Sequence, residues 1–67
     1  MTIYFNNRAL ELEKEYNLEE LLASQSLQHK AGIAIALNNK VVPKEMWKQT
    51  IIKDDDRILA IGASYGG

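Results

Sequence analysis

Sixty-seven residues with no cysteine, 46% hydrophobic and 25% charged, describe one small domain that must fold on its own apolar core, without a disulfide or thiolate–metal staple. A formal net charge of −1 excludes the basic footprint of a nucleic-acid binder, and no apolar run approaches the roughly 20 residues needed to span a bilayer. No basic-then-apolar leader opens the chain, so the expected address is the cytoplasm.

In chain order, "TIYF" (2–5) is β-branched and aromatic, and the "NN" after it is a turn signal. "RALELE" (8–13) alternates Leu10 and Leu12 with Glu11 and Glu13, so residues 2–13 read as a β-hairpin. The period then changes: Leu18, Leu21, Leu22 and Gln25 fall on one helical stripe, and Asn17 with Glu20 has the spacing of a capping box. A helix over about 18–27 follows. "IAIALN" (33–38) alternates large and small residues and is turned by a second "NN". Beyond "VVP" (41–43), "KEMWKQ" reads as a short helical turn, "TII" (50–52) as a short edge strand, "DDD" (54–56) as a solvated turn and "RILAIG" (57–62) as the last strand. The charges are uneven: five of the nine acids lie between Glu11 and Glu20, while Lys30 to Lys48 holds four lysines against Glu45.

A hairpin, a helix crossing behind it and further strands place one helix on one face of a mixed sheet, with the last strand in the middle beside the first. The expected class is α+β, a β-grasp (ubiquitin-like) domain of four to five strands occupying 1–67, with 63–67 as a flexible C-terminal tail. The predicted core is Ile3, Phe5, Leu10, Leu12, Leu18, Leu21, Leu22, Ile33, Ile35, Leu37 and Ile58. Strand alternation then puts Tyr4, Leu59 and Ile61 on the opposite face beside Ala34 and Ala36, an apolar cluster that no element of so short a chain covers. These five residues are the expected partner interface, and the lysine-rich segment from Lys40 to Lys48 is the next candidate.

Catalytic constellations are absent. His29, the single histidine, has no serine–acid or cysteine partner implied by spacing, and Asp54, Asp55 and Asp56 lack the ligand spacing of a calcium loop. No catalytic residue, bound cofactor or metal is expected, and the chain reads as a substrate or partner of enzymes. What remains is the ending "ASYGG". Glycine lacks a Cβ and can pass through a narrow channel, and four residues beyond Ala63 reach at most about 14 Å, enough to enter a cleft. Tail residues Ser64, Tyr65 and Gly66 would carry the Gly67 carboxylate to an enzyme. Ionised at neutral pH, that carboxylate is a poor acyl donor until it is joined to AMP, after which a sulfur nucleophile can displace AMP and leave a thiocarboxylate.

Several segments together resemble the ThiS family, the ubiquitin-like sulfur carriers of bacterial thiamine biosynthesis. They are an opening strand ending in "FN" (5–6), "LEELL" (18–22), "AIALN" (34–38), "VVPKEMW" (41–47), the acidic turn "DDD" (54–56) and the terminal "GG". The resemblance implies adenylation of Gly67 by a ThiF-type adenylyltransferase using ATP and Mg²⁺, then conversion to a thiocarboxylate with sulfur from a donor such as a cysteine desulfurase. It further implies delivery of that sulfur to a ThiG-type thiazole synthase, and a carrier that is monomeric when free. Tyr65 departs from the pattern, an aromatic where family members vary. Two other classes stay open on the residues alone: a β-grasp sulfur carrier of another pathway, of the kind that forms the small subunit of molybdopterin synthase, and a plain ubiquitin-like binding module with an inert tail.

Overall fold

The computed structural model describes residues 1–27 and 32–62. Strands β1 (Thr2–Phe5) and β2 (Arg8–Glu11) form an antiparallel hairpin closed by Asn6 and Asn7, both at positive φ (51° and 69°). A two-residue loop with both residues in the left-handed region is the type I′ turn that matches strand twist, and asparagine tolerates that conformation. The same device, Asn38 and Asn39 at φ 51° and 72°, closes the hairpin of β3 (Ile33–Leu37) and β4 (Lys40–Val41). Strand β5 (Arg57–Gly62) joins the two hairpins, parallel to β1 and antiparallel to β3, giving the order β2-β1-β5-β3-β4. The last strand is therefore central, as the crossover argument predicts.

Helix α1 (Leu18–Ser24) lies across one face of the sheet. Its start is the predicted capping box: Asn17 Oδ1 accepts from Glu20 N–H at 2.7 Å, and Glu20 Oε1 accepts from Asn17 N–H at 2.9 Å. Its end comes three residues earlier than the periodicity suggests. Ser26 takes a positive φ of 62°, Ser26 N–H donates to Ala23 C=O, and Leu27 N–H donates to Leu22 C=O. This is the paired-bond helix stop normally built on glycine, here with serine, and it turns Leu27 into the core.

Ile3, Leu18, Leu21, Leu22, Ile35, Ile52 and Ile58 are fully buried, each worth about 1.5–3 kcal/mol of transfer free energy. Phe5 and Leu12 are buried with them, whereas Leu10, Ile33 and Leu37 sit half-buried at the margin. Four core members lie outside the predicted set: Leu27, Trp47, Ile52 and Ala60. Trp47 belongs to a 3-10 helix (Lys44–Gln49), where its indole N–H donates to Val42 C=O at 2.9 Å. The expected edge strand at 50–52 is corrected by the structure. Its backbone pairs with the approach to the helix, Leu18 N–H to Thr50 C=O at 2.8 Å and Ile52 N–H to Tyr16 C=O at 2.9 Å, so it staples α1 to the body instead of widening the sheet.

Candidate functional site: the open sheet face and the root of the tail

With α1 on one face, register determines what stands on the other. Ala34 faces Ile61 across β3 and β5, and Ala36 faces Leu59 on one side and Val41 on the other. Tyr4 faces Arg57 across β1 and β5 and Ala9 across β1 and β2. The parity expected of the last strand holds: Ile58 and Ala60 are buried under the helix, while Ile61 is 55% exposed and Leu59 half-buried on the open side. Tyr4 is half-buried and Ala34 exposed on that side. Ala36 needs a correction. It lies in the predicted row but is only 9% exposed and outside the core cluster, so it forms the floor between Leu59 and Val41 and offers little contact surface itself.

Two residues of this face were missed from the sequence. Val41 is 71% exposed beside Ala36, and Arg57 places its guanidinium 4.7 Å from the centroid of the Tyr4 ring. Val41 was legible in principle, because a two-residue Asn38–Asn39 loop pairs 37 with 40 and hence 36 with 41. The face is thus graded, aliphatic at the end where β5 leaves the sheet and aromatic with a fixed cation at the other. The lysine alternative is also surface: Lys40, Lys44 and Lys48 are all exposed along β4 and the 3-10 helix.

The acidic turn holds the fold together more than a solvated turn would. Asp54 Oδ1 accepts from Thr2 N–H at 2.9 Å, and Asp56 accepts from Lys53 N–H at 2.8 Å and from Asn38 Nδ2 at 3.0 Å. Among the described residues no group of three His, Cys, Asp or Glu is placed to hold a metal ion, and no helix is long and apolar enough to cross a membrane. Ser64, Tyr65, Gly66 and Gly67 lie outside the described residues, as does His29. The last described position is Gly62, where an added Cβ would meet the Gly32 carbonyl oxygen at 2.8 Å and Ile33 Cγ2 at 2.9 Å. Only glycine lets β5 approach the start of β3 so closely there.

Five mixed strands grasping one helix, with the last strand central and the second face open among the described residues, define a β-grasp domain. The family model of the ThiS family matches residues 3–67, and the chain belongs to that family. It is 40% identical over 67 residues to the sulfur carrier protein ThiS of Escherichia coli (strain K12), covering 100% of both chains. Two solved structures of a thiamine biosynthesis protein (ThiS) from Geobacter metallireducens share the fold at 23% identity. The crystal structure has a TM-score of 0.84 with 100% of each chain covered, and the solution structure has 0.79 with 100% of this chain and 88% of that one.

Proposed function

We propose that this chain is a sulfur carrier of thiamine biosynthesis whose working group is the carboxylate of Gly67. The observation that carries the reading is membership of the ThiS family along essentially the whole chain, terminal glycine pair included. A carboxylate oxygen of Gly67 attacks the α-phosphorus of ATP on a ThiF-type adenylyltransferase, with Mg²⁺ on the nucleotide, and pyrophosphate leaves. The outer sulfur of a persulfide on a donor such as a cysteine desulfurase then attacks the acyl carbon, AMP departs with the original oxygen, and a thiol reduces the resulting acyl disulfide, leaving the thiocarboxylate on Gly67 and the thiol as a disulfide. The thiocarboxylate supplies sulfur to a ThiG-type thiazole synthase in the cytoplasm. The chain itself catalyses none of these steps. Residues 63–67 are the arm that reaches the active sites, and Tyr4, Ala34, Leu59 and Ile61, with Val41 beside them, are the face by which the partners hold the body.

The test is the intact mass of the chain after incubation with the adenylyltransferase, ATP, Mg²⁺ and a sulfur donor. Exchange of one terminal oxygen for sulfur is the expected result. Gly67→Ala, or one appended residue, should abolish the mass change while the melting curve stays that of the unmodified chain. A folded variant of either kind that still gains sulfur overturns the proposal.

A further inference from the structure

At the end of the open face away from the tail, β5 presents a cation that the fold orients. The backbone of Arg57 is fixed by Asn38: its N–H donates to Asn38 Oδ1 at 2.9 Å, and its C=O accepts from Asn38 N–H at 2.8 Å. Its exposed guanidinium lies 4.7 Å from the centroid of the Tyr4 ring. Attraction to a ring face draws on the charge, and a guanidinium keeps its planar fork of five N–H donors at the same time. The neighbouring Asp56 carboxylate is committed elsewhere, one oxygen to Asn38 Nδ2 at 3.0 Å and the other to Lys53 N–H at 2.8 Å. Beside the ring, a recess of about 80 Å³ is lined by Tyr4, Asn7, Asn39, Arg57, Ile58 and Leu59. Asn7 and Asn39, at φ 69° and 72°, come from the two hairpin loops, one on each side of β5. One water takes about 30 Å³ in the liquid, so the recess holds a group of about three non-hydrogen atoms, the size of a carboxylate and far below a nucleotide.

We propose that this recess is a carboxylate clamp: an aspartate or glutamate side chain of the adenylyltransferase enters it and takes paired hydrogen bonds from Arg57. The inference rests on the sulfur-carrier reading and gives the docking face its polar contact. Charge complementarity selects the chemistry. Among the described residues the recess is lined by a guanidinium, two carboxamides and a phenol, all able to donate, and by no acid. Continuity selects the partner, because Tyr4 and Leu59 belong both to the recess and to the face proposed above to seat that enzyme. Arg57 and Gly62 stand about 16 Å apart along β5, so the clamp and the aliphatic residues around Ile61 grip opposite ends of one face. Apolar contact has no direction of its own, whereas a two-pronged arginine–carboxylate pair fixes rotation. The clamp therefore sets the angle at which β5 delivers the C-terminus to ATP.

The test uses the full chain with the adenylyltransferase and reads the KM of the carrier in ATP–pyrophosphate exchange. Arg57→Gln removes the charge and keeps the backbone bonds to Asn38, so the variant should melt with the parent. Its KM should rise about tenfold at low ionic strength with kcat little altered, and the gap should narrow as salt is added. An unchanged KM overturns the inference. So does an increase that salt does not reduce, which assigns Arg57 a packing role on Tyr4. In a second arm, Arg57→Lys places an amine at the recess, and carbodiimide treatment of the complex should join residue 57 through an amide to an aspartate or glutamate of the enzyme, located by peptide mass. Absence of that cross-link overturns the inference. In ¹⁵N spectra of the free chain, Mg-ATP that shifts the Asn7, Asn39 and Arg57 amides to saturation assigns the recess to a phosphate and also overturns it. Each of these outcomes leaves sulfur charging at saturating enzyme intact. If the unmodified chain is not charged with sulfur at all, the carrier reading fails and takes this inference with it.

Discussion

At the scale of single residues, the clearest electrostatic device is Glu11. One carboxylate oxygen accepts from the N-terminal ammonium of Met1 at 2.8 Å and the other from the Thr2 hydroxyl at 2.6 Å. The ammonium bond, then the hydroxyl bond, holds the Glu11 carboxyl below its usual 4.5, and the same Glu11 bond lifts the Met1 amine above its usual 8.0. The signs give a window. Glu11 contributes stability above 4.5 that is lost as pH falls through its depressed value, and the amine contributes below 8.0 and loses it as pH rises through its raised value. Glu11→Gln should melt below the parent at neutral pH, the gap closing toward both extremes. Melting temperatures that differ by a constant amount from strongly acid to strongly alkaline solution would refute the pairing. None of this was readable beforehand, since the alternation of 8–13 shows only that Glu11 faces away from Leu10 and Leu12. The asparagine pairs were legible, because their tolerance of left-handed backbone is a property of the residue itself.

Among the elements, the start of α1 was legible and its end was not. A capping box is written in two residues three apart, whereas the stop at Ser26 is built from a residue type that carries no such signal. Serine at φ 62° pays the steric cost of the left-handed region, roughly 1–2 kcal/mol, part of which glycine returns through its greater freedom when unfolded. Ser26→Gly should therefore stabilise the domain by about 0.5–1 kcal/mol, read from the denaturant midpoint at unchanged slope. An unchanged or lower midpoint means that the Ser26 conformation is not the constraint described. The segment 50–52 shows the opposite failure of sequence reading. Its β-branched residues do make strand-like bonds, but with Tyr16 to Leu18, so composition revealed the backbone state and not the partner. Trp47 and Ile52 entered the core unpredicted because the 3-10 helix and this staple fold them inward over long range.

For the molecule as a whole, alternation and the central place of β5 were enough to assign the two faces, including the parity of Ile61. What alternation does not supply is how neighbours shade one another, which is why Ala36 proved enclosed and Val41 prominent. If the open face holds the partner enzymes, Ile61→Asp should weaken binding to the adenylyltransferase at least tenfold while costing less than about 1 kcal/mol of stability. Isothermal titration beside thermal melting separates the two effects, and normal affinity in a folded variant moves the docking surface to the lysines at 40, 44 and 48. The strand order has a further consequence for how the protein is made. During translation the hairpin of residues 2–11 and the hairpin of residues 33–41 both emerge before anything can join them, because the joining strand is 57–62. A nascent or prematurely terminated chain lacking those residues has two halves and no common sheet. The finished body therefore attests that synthesis has run as far as Gly62, so an enzyme that recognises the body meets only chains made through to the root of the tail.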